Sequence, residues 1–357
     1  MKKLNLAIIG QGRSGRNIHG KFLKTDKNEF FNVKYVVEAD EFRRNRAASE
    51  YEGCTTFADY TELFGIKDID LVVNATYSDM HYAITKDLLA HGFNVLSEKP
   101  LCRNVYECDD LIKTAEENKV IVAAFQQTFG APYYQFTKNL IASGKLGEVQ
   151  QISIRFNNFA RRWDWQTLIK RMAGNAFNTG PHPIGMAYGF LDFDKDAKVV
   201  YCKANHTSMS SGDADDYVKM IFEAPNKPIV DLEINNTDGF SDYNIKIQGS
   251  KGCFKTTPAS YKLKYIVDGE NEERKVSDTF LEDENKNPVY CRDNLKVHEE
   301  EGTFEGSAFD VGTMTVYKSL YYAITEGKPL FVTMEQARMT VSATEQLHAK
   351  NPLPRKF

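Results

Sequence analysis

Leu4-Asn5-Leu6-Ala7-Ile8-Ile9-Gly10-Gln11-Gly12-Arg13-Ser14-Gly15 is the stretch on which the fold turns. A short apolar run breaks into a Gly-x-Gly-x-x-Gly sequence where a buried strand would hand over to a helix. Gly10 permits the tight turn, Gly12 lets the backbone approach a pyrophosphate, and Gly15 allows the helix to pack closely on the strand. The helix N-terminus supplies positive potential for the phosphates. This predicts a dinucleotide-binding turn with Arg13 and Ser14 at its crest. Asp40 ends the next apolar run, where a carboxylate can bond a ribose 2′-hydroxyl. It would repel a 2′-phosphate and so favours NAD, while Arg43 and Arg44 just beyond it keep NADP open.

Working outward, short apolar runs alternate with helix-like segments. Strands are predicted at Leu4–Ile9, Val33–Val37, Leu71–Asn74, Asn94–Leu96 and Val120–Ala124. Leu71-Val72-Val73 and Val120-Ile121-Val122 are apolar without alternation, as in parallel strands buried on both faces. Ser78 is a candidate cap for a helix stopping near Gly92, and Asn104 with Glu107 resembles a capping box. Such alternation specifies a doubly wound parallel sheet over residues 1–124. From residue 125 the pattern changes. After a helix around Tyr133–Ser143, strands are predicted at Val149–Asn157, Val199–Lys203, Tyr217–Glu223, Ile229–Asn235, Tyr243–Gln248 and Leu263–Val267. Consecutive strands of this kind predict an α+β domain, 125–357, with an open antiparallel or mixed sheet. Asp268–Lys296 is charged and reads as a surface excursion. Helices at about Phe309–Glu326 and from Thr333 to just before Pro352 close the chain.

The 357 residues are 42% hydrophobic and 26% charged, with a formal net charge of −4, an ordinary globular balance. Interleaved acids and bases give no basic stripe for nucleic acid and no polybasic anchor for a membrane. The apolar run after Met1-Lys2-Lys3 is too short for a signal peptide, and no run approaches the roughly 18 residues of a membrane span. Six scattered cysteines without a Cys-x-x-Cys pair predict reduced thiols in a cytoplasmic protein, and no cluster has metal-ligand spacing.

Two further motifs carry chemistry. Glu98-Lys99-Pro100 lies just past a predicted strand, where open α/β sheets bind ligands. The Lys99 ammonium there can hold a substrate hydroxyl or assist proton transfer, and a surface ion pair is the plainer alternative. Asn178-Thr179-Gly180-Pro181-His182 predicts a helix opening at Pro181. His182 in its first turn would be kept neutral by the helix dipole and suited to accept a hydroxyl proton, unless it is simply a structural histidine.

These pieces, in this order, resemble the glucose–fructose oxidoreductase / inositol dehydrogenase / rhizopine-catabolism (Gfo/Idh/MocA) family over nearly the whole chain. The resemblance rests on Ala7–Gly12, Asn74-Ala75-Thr76 with His81, Glu98–Leu101, Leu146–Val149, Gly180–His182 and Ile247–Gly252. It implies a Rossmann domain followed by an open-sheet domain, and a homodimer or homotetramer assembled through that sheet. It assigns catalysis to Lys99 and His182, and the neighbourhood of NAD to Gly10, Gly12, Arg13, Ser14, Gly15, Asp40, Arg44, Thr76, His81, Glu98 and Lys99. It further implies hydride exchange with a hydroxyl or carbonyl carbon of a sugar, glycoside or polyol. Redox-neutral glycoside cleavage with retained NAD, and a non-catalytic sensor of dinucleotide or sugar, are the alternatives. Two positions depart from the family pattern. Asn178 stands where an aspartate is common four residues before the histidine, and is expected to orient His182. Gly185 replaces an acid three residues after it. Both tryptophans lie in Arg161-Arg162-Trp163-Asp164-Trp165. Arg162, Trp163 and Asp164, with Tyr77 beyond a strand end, are candidate contacts for a sugar's apolar faces and polar edges.

Overall fold

The computed structural model describes residues 2–357, so Met1, the first residue of the predicted first domain, lies outside it. Six parallel strands run in the order Thr55–Phe57, Phe31–Val37, Leu4–Ile9, Leu71–Asn74, Val95–Ser97, Val122–Ala124. Connections from Leu4–Ile9 go first to one side and later strands add on the other. Its carboxyl end, beside that of Leu71–Asn74, is therefore the switch point at which such sheets bind ligands. Thr55–Phe57 was not expected: three residues with two threonines carry no apolar signal.

Eight strands form the second sheet, in the order His298–Thr303, Ser260–Tyr265, Gly252–Thr256, Ile245–Gly249, Val149–Asn157, Ile229–Asn235, Tyr217–Glu223, Lys198–Asn205. Val149–Asn157 pairs in parallel with Ile229–Asn235 and the other pairings are antiparallel, so the sheet is mixed. The edge strand His298–Thr303 escaped prediction because its pairing is electrostatic. Glu299 and Glu301 stand opposite Lys264 and Lys262, and Lys264 Nζ reaches Glu299 at 2.6 Å. Gly252–Thr256, where no strand was predicted, completes a hairpin with Ile245–Gly249. The charged excursion is exposed and folds into a small hairpin of Leu281–Glu282 against Pro288–Val289. No helix among the described residues is long and apolar enough to cross a membrane.

Local sequence explains the helix ends. Asn104 caps Val105–Asn118 by accepting the Glu107 amide, and Thr333 with Gln336 closes a full capping box on Met334–Lys350. Ser78 is not a cap. It lies inside a tight turn, Ser78–Met80, and the helix proper is His81–Ala90.

The first sheet is buried on both faces. Ala7 and Ile9 face helices His81–Ala90 and Val105–Asn118, while Leu6 and Ile8 face the opposite core. The last helices return to these layers. Val316, Tyr317, Leu320 and Tyr321 of Thr313–Glu326 fill one face, and Met334, Ala337 and Val341 of Met334–Lys350 join the other. Further along the same helix, Ala343 and Leu347 enter the core of the second sheet.

Candidate active site

The predicted cofactor residues collect at the carboxyl ends of the parallel strands. Gly10 adopts φ +91°, and a Cβ there would lie 2.5 Å from the Ala75 carbonyl oxygen. A Cβ on Gly15 would lie 1.9 Å from the Gly10 oxygen. Only glycine fits either position. Gly12 has open space where a side chain would stand. The residues present therefore fit a dinucleotide: the turn is tight behind and clear in front, as close approach of a pyrophosphate requires. Ser14 makes no side-chain capping bond.

The carboxylate tied to this turn is Glu38. It accepts the Gln11 amide at 2.7 Å and the Asp40 amide at 3.0 Å. Asp40, predicted for the ribose, is exposed and caps helix Glu41–Glu50 by accepting the Arg43 amide at 2.8 Å. Arg44 donates to the Glu38 and Ala39 carbonyls. The signal for the cap was present in the sequence: an Asp directly before a charged helical run is a cap.

Thr76 donates to Asn74 Oδ1 at 2.7 Å, and its carbonyl lies 3.2 Å from His81 Nε2. The other nitrogen of His81 lies 2.8 Å from the Pro100 carbonyl. His81 thus ties the loop after Leu71–Asn74 to the one after Val95–Ser97. Burial lowers its pKa.

Lys99 follows directly, with a cis peptide to Pro100. Its ammonium donates to the main-chain carbonyl of Asn178 at 2.7 Å and reaches Asn178 Oδ1 at 3.4 Å. Burial lowers its pKa, opposed by Glu98 and aided by Arg13 and Arg162, so all three side chains lie within electrostatic reach.

Asn178 ends the short helix Asn175–Asn178, and Pro181–Phe190 begins three residues on, with His182 in its first turn as expected. His182 is half-buried. Burial, then the charge of Lys99, pushes its pKa down to about 3, so the neutral ring dominates at ordinary pH. Its side-chain partner is Thr128, whose Oγ1 lies 3.2 Å from Nδ1. Asn178 faces elsewhere than expected: Oδ1 accepts from Gln166 Nε2 at 3.1 Å besides its contact with Lys99. The space of the missing acid at position 185 is filled, since a Cβ there would meet Phe129 at 2.9 Å.

Arg162 donates to Gln166 Oε1 and pairs with Asp164 at 3.0 Å, so Arg162, Gln166, Asn178 and Lys99 form one polar chain. Tyr77 meets the edge of Trp165 at 5.0 Å, and Arg171 lies over its ring at 5.1 Å. Trp163 stands apart, 77% exposed. Of the two tryptophans it is thus Trp165, not the predicted Trp163, that meets Tyr77, and sequence reasoning did not single out Glu38, Thr128 or Gln166. The alternating spacing of Trp163 and Trp165 gave no means of telling which turned inward.

The family described as "Oxidoreductase family, NAD-binding Rossmann fold" (GFO_IDH_MocA) matches residues 4–126, and its C-terminal domain matches 134–255. The chain belongs to the Gfo/Idh/MocA family. Its first part is accordingly an NAD-binding Rossmann domain. Among relatives, the 2,7-anhydro-N-acetylneuraminate hydratase of Mediterraneibacter gnavus is 24% identical over 295 residues, covering 81% of this chain and 77% of the hydratase. GenD2 from gentamicin A biosynthesis, crystallised with NAD, superposes with a TM-score of 0.75 at 19% identity over 98% and 94% of the two chains. KijD10, a 3-ketoreductase from Actinomadura kijaniata crystallised with TDP-benzene and NADP, gives 0.77 at 15% identity over 98% of each. These Gfo/Idh/MocA likenesses establish the fold, and the site residues above are this chain's own.

Proposed function

We propose that this Gfo/Idh/MocA protein is an NAD-dependent dehydrogenase or reductase acting at a hydroxyl or carbonyl carbon of a sugar, glycoside or polyol. The observation that carries the reading is the placing of Lys99, whose amine is bonded to the Asn178 carbonyl, with a neutral, half-buried His182 beside the dinucleotide turn. NAD, when bound, exchanges the hydride. The protein's task is to hold the substrate oxygen and move its proton. In the tautomer whose Nδ1 proton is directed at Thr128 Oγ1, the His182 ring leaves Nε2 free to accept the hydroxyl proton. The Lys99 ammonium steadies the developing negative charge on the same oxygen. Tyr77, Trp165, Arg162 and Asp164 offer the aromatic faces and charged edges a pyranose ring requires. Glu38 serves as the ribose acceptor and favours NAD over NADP. A panel of polyols, aldoses, glycosides and sugar acids, each offered with NAD and NADP and followed by cofactor absorbance, tests the reading. Reduction of neither cofactor by any alcohol, and oxidation of neither reduced cofactor by the matching carbonyls, sinks it.

A redox-neutral variant of the same chemistry is favoured by the similarity to a hydratase, a reaction class without net oxidation. In that variant a bound NAD would end each cycle in the oxidation state in which it began, so NADH would not accumulate over many turnovers.

A further inference from the structure

Behind Lys99 lies a set of buried polar groups that the proposed chemistry does not use. Glu98 is 2% exposed and His19 and Tyr317 are fully buried. Glu98 Oε2 accepts the main-chain amide of Lys99 at 3.0 Å, and Oε1 lies 3.2 Å from His19 Nε2. The other ring nitrogen, Nδ1, lies 2.8 Å from the Tyr317 hydroxyl. His19 belongs to the wide helical turn Gly15–His19 that opens directly behind the Gly-rich loop. Tyr317 comes from helix Thr313–Glu326, nearly 300 residues later in the chain. Phe22 stacks on Tyr317 at 5.2 Å, and Phe125 lies 4.3 Å from the His19 ring, so both groups are fixed by packing.

An ionised carboxylate only accepts, so the proton between the two side chains sits on His19 Nε2. Burial, with Tyr51 and Glu98 nearby, holds the Tyr317 phenol well above its ordinary range, so its hydroxyl stays protonated beside Nδ1. Burial alone would raise the Glu98 carboxyl. The His19 hydrogen bond and the nearby His19, Lys99 and His81 more than offset this and hold it ionised. Glu98 in turn opposes the lowering of the Lys99 pKa by burial, Arg13 and Arg162, while His182 feels the resulting positive charge.

We propose that His19 and Tyr317 are positioning residues for the Lys99 centre: Tyr317 fixes the His19 ring, His19 donates to Glu98 and holds it against the Lys99 amide, and Glu98 sets the negative charge that faces the Lys99 side chain aimed at Asn178. This deepens the reading of Lys99 as the group that holds the substrate oxygen and rests on it. It also explains why an acid is tolerated at 2% exposure in a domain core, where an unpaired carboxylate would neutralise instead.

The test reads Lys99 directly and needs no substrate. The full chain, with and without NAD, is labelled with trace isotopic acetic anhydride across pH, and the peptide carrying Lys99 is quantified by mass spectrometry. In His19→Phe, Glu98 loses its donor and takes up a proton, so the labelling midpoint of Lys99 should fall by about 1 pH unit. In His19→Gln the amide can donate to Glu98 and accept from Tyr317, and the midpoint should stay near that of the unmodified protein. Tyr317→Phe keeps the ring packing but removes the partner of His19 Nδ1, loosening the ring's hold on Glu98, and should shift the midpoint part of the way. An unmoved midpoint in folded His19→Phe, or an equal fall in His19→Gln, overturns the proposal. Should His19→Phe not fold, Tyr317→Phe decides alone, and no shift there overturns it. Normal turnover by Lys99→Ala would instead overturn the dehydrogenase reading and leave these midpoints as they are.

Discussion

Lys99 ends on the main-chain carbonyl of Asn178 at 2.7 Å, joining the loop that leaves the Rossmann sheet to the segment that carries His182. Because the acceptor is a backbone oxygen, the contact survives any side chain at 178, and the two catalytic candidates are held in register by main-chain geometry. The Asn178 side chain is then free to tune Lys99, and its carboxamide lies 3.4 Å from the ammonium.

Asn178→Asp should therefore act first on Lys99. A carboxylate at that distance stabilises the ammonium and raises its pKa, moving the Lys99 labelling midpoint upward. The His182 pKa should rise as well, because the new negative charge offsets that of Lys99. In a pH profile of kcat/KM the acidic limb then moves to higher pH. A changed Lys99 midpoint with an unchanged acidic limb would show that Asn178 addresses Lys99 alone.

Removal of either proton-handling group should be costly. Lys99→Ala and His182→Ala should each reduce kcat by roughly 10²–10⁴ on any substrate the screen identifies. NADH affinity, followed by fluorescence, should fall more in Lys99→Ala, since only Lys99 leaves a Rossmann strand. Turnover by His182→Ala within a few-fold of the unmodified protein would remove His182 from the mechanism.

The depressed pKa of His182 has a consequence for stability. Below an ordinary histidine pKa of about 6.5 the unfolded chain binds a proton at this ring that the folded chain does not bind until about pH 3. The unfolded state holds more protons across that window, so this residue makes stability decline as pH falls through it. His182→Gln should lose less Tm between pH 7 and pH 5 than the unmodified protein. Equal losses would mean the folded ring titrates normally.

Cofactor preference should follow Glu38 more than Asp40. Glu38→Ala removes the acceptor tied to the Gln11 amide and should narrow the ratio of NAD to NADP affinity in calorimetry. Asp40→Ala removes a helix cap and should cost about 0.5–2 kcal/mol of stability with a smaller change in that ratio. The reverse pattern would return the ribose to Asp40.

Gly185→Asp places at this position the acid that the family resemblance implies, yet its Cβ would sit 2.9 Å from the buried Phe129 ring. We expect a drop in Tm corresponding to about 1–3 kcal/mol of overpacking. A variant as stable as the parent would show that Phe129 can step aside.

How much of this was legible in the sequence depended on what made each element. Leu4–Ile9, Leu71–Asn74 and Ile229–Asn235 are held by apolar burial and were read to the residue. His298–Thr303 is held by lysines thirty-odd residues away, which no local window contains. At the site, Gly10, Gly15, Lys99 and His182 were found because each sits in a motif whose spacing is set by local backbone geometry. Thr128 and Gln166 were not, because their partners are chosen by the crossing of elements 54 and 12 residues apart. That Asp40 would cap a helix was not read, because a strand-ending acid and a helix cap share the same short stretch, and Glu38, two residues earlier, is the acid bonded to the glycine turn.

The return of the last two helices into the first sheet bears on how the chain is made. The Rossmann half leaves the ribosome first, yet one face of its sheet waits for Val316, Tyr317, Leu320 and Tyr321, and the other for Met334, Ala337 and Val341. Until residue 341 is synthesised, part of the apolar surface on each side of that half lacks its cover, a state in which nascent domains are prone to aggregate. Its core is thereby completed late in synthesis, and a polypeptide stopped at the end of the nucleotide-binding strands would lack that cover.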